Sequence, residues 1–539
     1  MIALRAWQER ALARLSAWDD GPFLLSAAPG AGKTIPSLVF ARRLLSEGIV
    51  RRVHVVCPTT PLTRQWAEAA GRLGVQLVPD AEQLRPPRDF HGVVATYARA
   101  ATSAARWAAQ CGKETLVIAD EAHHLGEELA WGEGFARAFG ATQRWLLLSG
   151  TPFRSDQSPI AGVRYEDGVA VPDVSYSYAA AVRDGICRPV AFIPYDGTLS
   201  WRSGGEVVES SFTDVDLVGR EAGRRYRTAI STELADGLPR ILRAAHDRLG
   251  EVRAGGHRDA GGLVISADGA HARRVAAVLK EITGRSPTVV LHTDARAASK
   301  LRAFAAGREP WLVAVNMVSE GVDIPRLRVG VYATAAKTPL MFRQIVGRFV
   351  RVRGGGGPVE HSYLFLPADR LLRAHAAEVE EELRHVLRSA AQVTPDAFDD
   401  DGGAGQRRGT TEPSEPDAFV PLNADVAPQL ALFGGGHTPA SPAPAPGSGR
   451  RAVAFASTPA VEEPADLPAF KRRAALRDKR HGLVRVLGGL QNRSFREINT
   501  WLNRETGAAG VGSASIEQIE ASIDLLLAEL DRLSRRRAS

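Results

Sequence analysis

The 539-residue chain has only three cysteines, Cys57, Cys111 and Cys187, spaced too widely for a disulfide framework or for the paired ligands of a zinc or iron-sulfur site. That excludes a metal-cluster enzyme and a disulfide-knit secreted scaffold. No apolar run approaches the roughly 18 to 20 residues that span a bilayer, and the opening Met1-Ile2-Ala3-Leu4-Arg5 lacks a signal-peptide core. A cytoplasmic protein is expected. Lysine is scarce as well: 7 of the 68 basic residues are Lys and 61 are Arg, which, with so much Ala and Gly, looks like GC-rich coding. What is present, 44% hydrophobic and 24% charged residues, is the composition of a globular protein, and at about 150 residues per domain the length suggests three or four domains.

Charge is unevenly placed. The chain carries +7, and residues 471–539 hold 14 Arg plus Lys against 8 Asp plus Glu, so +6 of the total lies in the tail. A sequence pI near 9.5 permits nucleic-acid binding without demonstrating it.

Short apolar runs alternate with amphipathic stretches over residues 1–188: Phe23 to Leu25, Val53 to Cys57, Gly92 to Ala95, Thr115 to Ala119 and Trp145 to Leu148 read as buried parallel strands. The rhythm returns over 189–390, at Gly262 to Ser266, Thr288 to Leu291, Trp311 to Val315, Val329 to Ala333 and Tyr363 to Leu366, with a mostly helical insertion at about 209–255. Two tandem α/β domains with parallel sheets follow. In residues 391–465 the pattern collapses, with 11 of the 32 prolines falling between Thr394 and Ala465, and a disordered Pro/Gly/Ala-rich linker is expected. Residues 466–539 regain helical periodicity, with a stripe of Ile516, Ile519, Ile523, Leu526, Leu527 and Leu530, as a basic helical module.

Ser26-Ala-Ala-Pro-Gly-Ala-Gly-Lys-Thr34 follows a strand and opens a helix, the setting of a phosphate-cradling loop. Pro29, Gly30, Ala31 and Gly32 would wrap the phosphates, Lys33 would reach the β- and γ-phosphates of ATP, and Thr34 would ligate Mg2+. The usual first glycine is Ala27 here. Asp120-Glu-Ala-His123 emerges at the C-terminal end of a strand, where α/β sheets hold ligands; Asp120 can hold Mg2+ while Glu121 polarises a water.

With these two motifs the chain resembles a superfamily 2 DEAD/DEAH-box helicase of the DNA repair and restriction type, over about residues 1–390, which implies two RecA-like domains. Leu4-Arg-Ala-Trp-Gln8 resembles the adenine-reading segment, Gln8 facing the base. Cys57 to Trp66 resembles motif Ia and Ala95-Thr-Tyr97 motif Ib, so Thr59, Arg64 and Thr96 are implied to hold a nucleic-acid backbone. Ser149-Gly-Thr-Pro152 resembles motif III; with His123, Ser149 and Thr151 would couple hydrolysis to strand binding. Val264 to His271 resembles motif IV and Asn316 to Pro325 motif V, implying nucleic-acid contacts by His271 and Ser319 and nucleotide contacts by Gly321 and Asp323. Gln344-Ile-Val-Gly-Arg-Phe-Val-Arg351 matches motif VI; Arg348 and Arg351, three apart, can share one helical face as arginine fingers, although many relatives have Arg where this chain has Ile345.

The expected function is ATP-dependent movement along, or unwinding of, nucleic acid, with DNA favoured over RNA. A duplex remodeller that does not separate strands and a restriction- or defence-associated subunit remain open. Two features lie outside the resemblance. Residues 471–504 carry 10 basic and 2 acidic residues with Phe495 and Trp501 among them, a mixture suited to phosphate contacts and base stacking, or to a basic helix whose aromatics form its own core. Gln429-Leu-Ala-Leu-Phe433 resembles the pentapeptide by which bacterial DNA polymerases and repair proteins bind the sliding clamp, with Gln429 making polar contacts and Leu432 and Phe433 entering an apolar pocket; the alternative is that Leu430, Leu432 and Phe433 pack back onto a helicase domain.

Overall fold

The apolar runs of the first third form one sheet. Its strands are β1 (Gly21–Ala27), β2 (Arg52–Cys57), β3 (Leu77–Pro79), β4 (Gly92–Thr96), β5 (Thr115–Ala119) and β6 (Arg144–Ser149); after a short hairpin of β7 (Arg164–Glu166) and β8 (Val169–Val171), β9 (Val174–Tyr176) joins it. In the order β3-β4-β2-β5-β6-β1-β9, the neighbours from β3 to β1 are parallel. A strand covered on both faces needs no polar alternation, which is why every residue of β5 is buried. The computed structural model describes residues 3–538 apart from 80–84, 128, 151–159, 161, 167–168, 204–205, 215–216, 292, 295, 316–323, 353–360, 391–419 and 430–467.

Register aligns the chemistry. Cys57 pairs with Thr96, Val56 with Ala119, Ala119 with Leu147, and Ser26 with Ser149. The segments after β1, β2, β4, β5 and β6 therefore leave the sheet at one edge, and those are the segments that carry the motifs. Beneath them, Trp107, Phe139 and Tyr97 fill the core, and His54 is buried edge-on to Trp107, its ring centroid 4.9 Å away.

The second sheet comprises β10 (Val190–Ser203), β11 (Glu206–Ser210), β12 (Gly261–Ser266), β13 (Thr288–Val290), β14 (Trp311–Val315), β15 (Leu327–Ala333), β16 (Ser362–Pro367) and β17 (Val420–Pro428). Its order is β11-β10-β16-β15-β12-β14-β13, with β17 also on β10. The insertion expected to be helical supplies helices Gly219–Ala229 and Leu238–Ala254, but it opens with β11.

β17 corrects the expectation of disorder across 391–465. Proline density suggested that nothing there could pack. Yet Ala424 and Val426 are buried while Asn423 and Asp425 are exposed, a period-2 pattern that fits the open edge of β10. Pro421 and Pro428 sit at the strand's extremities, where an edge strand tolerates a missing donor. The remainder of that segment, including Leu430, Leu432 and Phe433, lies outside the described residues; Gln429 is exposed and its N–H donates to Pro194 O at 2.8 Å.

The C-terminal module is three helices, Ala469–Gln491, Phe495–Thr506 and Ile516–Ala538. Asn492 and Gly507, both left-handed, end the first two, and a Ser494–Glu497 capping box starts the second. Val484, Leu487, Ile498, Leu502 and Leu526 form its core, with Trp501 packed against them. The expected apolar stripe holds at Ile519, Ile523 and Leu526, whereas Leu527 stays 44% exposed. The chain divides into two compact units: residues 1–26, 33–174 and 435–539 make one, 27–32 and 175–434 the other. Within the first, the module docks on helix Thr60–Arg72 and on the segment just ahead of β4: Lys471 Nζ lies 2.8 Å from Glu68 Oε1, and Ile516 N donates to Asp89 Oδ2 at 3.1 Å. The ion pair is half-exposed and contributes on the order of 0.5 kcal/mol, so it orients the module more than it holds it.

Candidate active site

Gly30 and Gly32 have φ of +79° and +90°, backbone that side chains disfavour, and they turn the loop after β1 into helix Thr34–Ser46, with Lys33 just ahead of it. Pro36 falls in the first turn, where no intrahelical donor is lost. Lys33 is 9% exposed, and its Nζ lies 3.7 Å from Glu121 Oε1. On the other side of that carboxylate, His123 Nδ1 is 3.6 Å from Oε2.

Glu121 itself has φ of +51°, a left-handed conformation for a residue with a Cβ, at a cost of order 1 kcal/mol. Its surroundings fix that turn: Asp120 N donates to Val56 O and Ala122 N to Leu148 O, each at 2.8 Å, so β2 and β6 grip the residues on either side. Asp120 is held further. Trp66 Nε1 donates to its Oδ2 at 2.8 Å, Glu121 N to its Oδ1 at 3.1 Å, and Tyr97 Oη to its carbonyl at 2.7 Å. The two carboxyls are driven apart. Burial, then the neighbouring Glu121 charge, push Asp120 up, against the pull of Lys33 and the Trp66 indole. Burial also opposes ionisation of Glu121, but Lys33 foremost, then His123, His124 and the Gly150 N–H, hold it below the usual carboxylate range.

The other expected residues divide. Ser149 ends β6 fully buried, while Thr151 lies outside the described residues, as do Ser319, Gly321 and Asp323. Arg64 is exposed on helix Thr60–Arg72, and Thr59 is that helix's N-cap. Thr96 Oγ1 accepts from Arg99 N at 3.3 Å and so caps the helix that follows. Gln8, expected to read adenine, is buried, and its Oε1 accepts from Arg5 N at 2.9 Å as part of a capping box. His271 departs from a nucleic-acid role. It is 5% exposed, its Nδ1 accepts from Ala267 N at 3.2 Å, and its Nε2 donates to Ile230 O at 2.9 Å, so both ring nitrogens are spent on backbone.

Gln344 and Arg348 lie on helix Pro339–Phe349, but the single helical face proposed for Arg348 and Arg351 is not formed. The helix is capped at Val350, whose carbonyl accepts from Arg188 N, and Arg351 continues as an antiparallel bridge with Cys187. Within the second unit Arg351 meets the phosphate loop: a Cβ on Gly30 would stand 3.0 Å from Arg351 Cγ, and one on Gly347 would stand 2.9 Å from Pro29 Cβ. Trp66 and Tyr97 were not legible as site residues. Both fall inside quoted motifs, but nothing in the sequence links either to Asp120.

Residues 1–154 match the family model for the res subunit of type III restriction enzymes, and residues 267–353 match the helicase conserved C-terminal domain. The chain is a superfamily 2 helicase by these two domains, which are those of a helicase-type, nucleic-acid-dependent ATPase. More particularly, it belongs to the family of the uncharacterized protein Rv2917 of Mycobacterium tuberculosis strain H37Rv, to which it is 41% identical over 443 residues, 80% of this chain and 72% of the relative. ML1624 of Mycobacterium leprae is 38% identical over 442 residues, 80% and 73% of the two chains. Among solved structures, a fragment of a putative HsdR subunit of a Vibrio vulnificus type I restriction enzyme aligns at 18% identity and a TM-score of 0.48, over 70% of this chain and 66%, less than two thirds, of that one. Yeast Dbp5 bound to RNA and ADP BeF3 aligns at 15% identity and 0.45, over 70% and 87%. Among the described residues no helix is long and apolar enough to cross a membrane.

Proposed function

We propose that the protein is an ATP-driven DNA translocase or helicase. The observation that carries this is Lys33 facing Glu121, with Asp120 beside it, at the end of a parallel sheet. Left-handed glycines, a lysine at the start of a helix and an acidic pair fit the phosphates of ATP together with Mg2+. Thr34 and Asp120 would hold the metal, which when bound neutralises charge on the phosphate oxygens. Glu121 takes the proton of the attacking water. Lys33 beside Glu121 holds that carboxylate ionised, and a phosphate that draws Lys33 toward itself would leave Glu121 the stronger base. By the resemblance, Arg348 and Arg351 would offset charge developing on the γ-phosphate, and Gln344, Gly321 and Asp323 would contribute to the same nucleotide site.

DNA is favoured because motifs Ia, V and VI resemble the repair and restriction helicases, and the restriction-enzyme model over residues 1–154 supports that choice. Contacts would run mainly to phosphates and be largely independent of sequence. ATP turnover measured with single-stranded DNA, duplex DNA and RNA tests the reading, and no stimulation by any of them overturns it. A forked-duplex assay beside triplex displacement separates unwinding from movement on intact duplex, the behaviour of a remodeller or defence subunit. For the pentapeptide at 429–433, the proposed partner is the sliding clamp of bacterial replication; Gln429 is exposed directly after β17, which supports a tethered presentation. A peptide of residues 424–437 should bind that clamp saturably and lose binding with Leu432→Ala plus Phe433→Ala.

A further inference from the structure

The C-terminal module commits its cations unequally: Arg473 donates to the carbonyls of Ala514 and Gly512, Arg480 to Asn499 Oδ1 and Arg493 to Gln491 Oε1. Lys471, Arg472, Arg504 and Arg532 each face a carboxylate, Glu68, Glu520, Glu505 and Glu529. Among the described residues no carboxylate faces Arg477, Arg485 or Arg496, all exposed; Lys479, further round the helix, is likewise unpaired. Two of these groups share one side of a helix with His481. Arg477, His481 and Arg485 stand at i, i+4 and i+8 on helix Ala469–Gln491, one above the other along one side. The ring of Phe495 lies against His481, centroids 5.3 Å apart and planes 36° apart, and Arg496 follows it in sequence.

Phe495 is 42% exposed, although the module has a core that could have absorbed it. Trp501 shows the contrast: it packs on that core. The nearby acids are outnumbered: residues 471–504 hold only Asp478 and Glu497 against 10 basic residues, and Glu497 turns its carboxylate to Ser494, accepting from Ser494 N and Ser494 Oγ at 2.8 Å. An exposed aromatic plane against an imidazole, on a helix side that carries Arg477 and Arg485 and next in sequence to Arg496, complements a flat ring with phosphates before and after it.

We propose that Phe495 and His481, with Arg477, Arg485 and Arg496, form a single-strand binding platform on the module, where one base stacks on Phe495 and the flanking phosphates meet the arginines. A duplex keeps its bases stacked inside and can offer only the phosphates, so the platform selects an unpaired strand. This rests on the reading of the chain as a nucleic-acid-dependent ATPase, but it names a second contact, outside the two helicase domains.

The test uses the full chain and a fluorescent oligothymidine of about 20 nucleotides, with anisotropy read across a salt titration without nucleotide. Phe495→Ala and Phe495→Leu should each weaken binding about tenfold with an unchanged salt slope, because stacking releases no counterions. Phe495→Trp should retain it. Arg477→Gln with Arg485→Gln should instead lower the slope of log K against log salt by about 1.4, at roughly 0.7 per phosphate contact on a single strand. A duplex of equal length should be nearly indifferent to Phe495→Ala, and an oligouridine arm reports whether RNA is taken equally. Wild-type affinity in Phe495→Leu, or an unchanged slope in the double arginine variant, overturns the platform even if DNA still stimulates ATP turnover. If no nucleic acid stimulates the wild type, the ATPase reading fails while the anisotropy series still decides the platform.

Discussion

The indole of Trp66 donates to Asp120 Oδ2 at 2.8 Å, joining the helix expected to follow the nucleic-acid backbone to the carboxylate expected to hold the metal. Both groups are buried, and a charge-assisted hydrogen bond in that setting is worth roughly 1.5 to 3 kcal/mol. Trp66→Phe keeps an aromatic ring and removes the donor. It should lower kcat about tenfold and raise the Mg2+ concentration for half-maximal binding of a non-hydrolysable ATP analogue, with KM for ATP little changed. Normal Mg2+ dependence in a variant that melts like wild type would show that Trp66 only packs.

Lys33 and Glu121 should fail differently. Lys33→Ala should weaken nucleotide binding, whereas Glu121→Gln should bind ATP and DNA yet hydrolyse at least a hundredfold more slowly, since it keeps the shape and loses the base. Single-turnover hydrolysis alongside equilibrium binding separates them, and wild-type turnover by Glu121→Gln would remove its assignment.

Loss of Arg348 or Arg351 should spare ATP binding by the first domain and abolish DNA-stimulated hydrolysis. Because Arg351 lies beyond its helix against Gly30, Arg351→Ala should also loosen the phosphate loop. Hydrogen exchange over residues 27–32 reads that change; wild-type protection in Arg351→Ala contradicts it.

His54 is buried and pushed down to about 3, by burial first and then by Arg52. The folded state therefore keeps it neutral while the unfolded chain protonates near 6.5, so its stabilising effect is complete above pH 6.5 and lost as pH falls toward 3. From pH 6.5 to 5 the loss is on the order of 2 kcal/mol. Thermal melts over that range should slope more steeply for wild type than for His54→Asn, and parallel curves would refute the assignment.

Legibility tracked burial and locality. Thr115–Ala119 and Trp311–Val315 were found to the residue, because a strand covered on both faces writes itself as an unbroken apolar run. The Gly30-Ala-Gly-Lys33 turn was equally plain, since its conformation demands its residues. β17 was hidden: an edge strand needs only two buried residues, Ala424 and Val426, and the surrounding prolines outweighed them. Trp66 and Asp120 meet only through the sheet, and His271 was misassigned because a motif places a residue in sequence without saying which way its ring turns.

The docking of Lys471 on Glu68 and of Ile516 on Asp89 has a consequence for biosynthesis. The earliest part of the chain to leave the ribosome receives its last packing partner from residues made some 400 positions later. At about 5 to 20 residues per second, helix Thr60–Arg72 waits roughly 20 to 80 seconds for it. During that interval the nascent first domain must stay folded without its cover, and a ribosome stalled in the second domain would hold a product whose first unit is still unfinished.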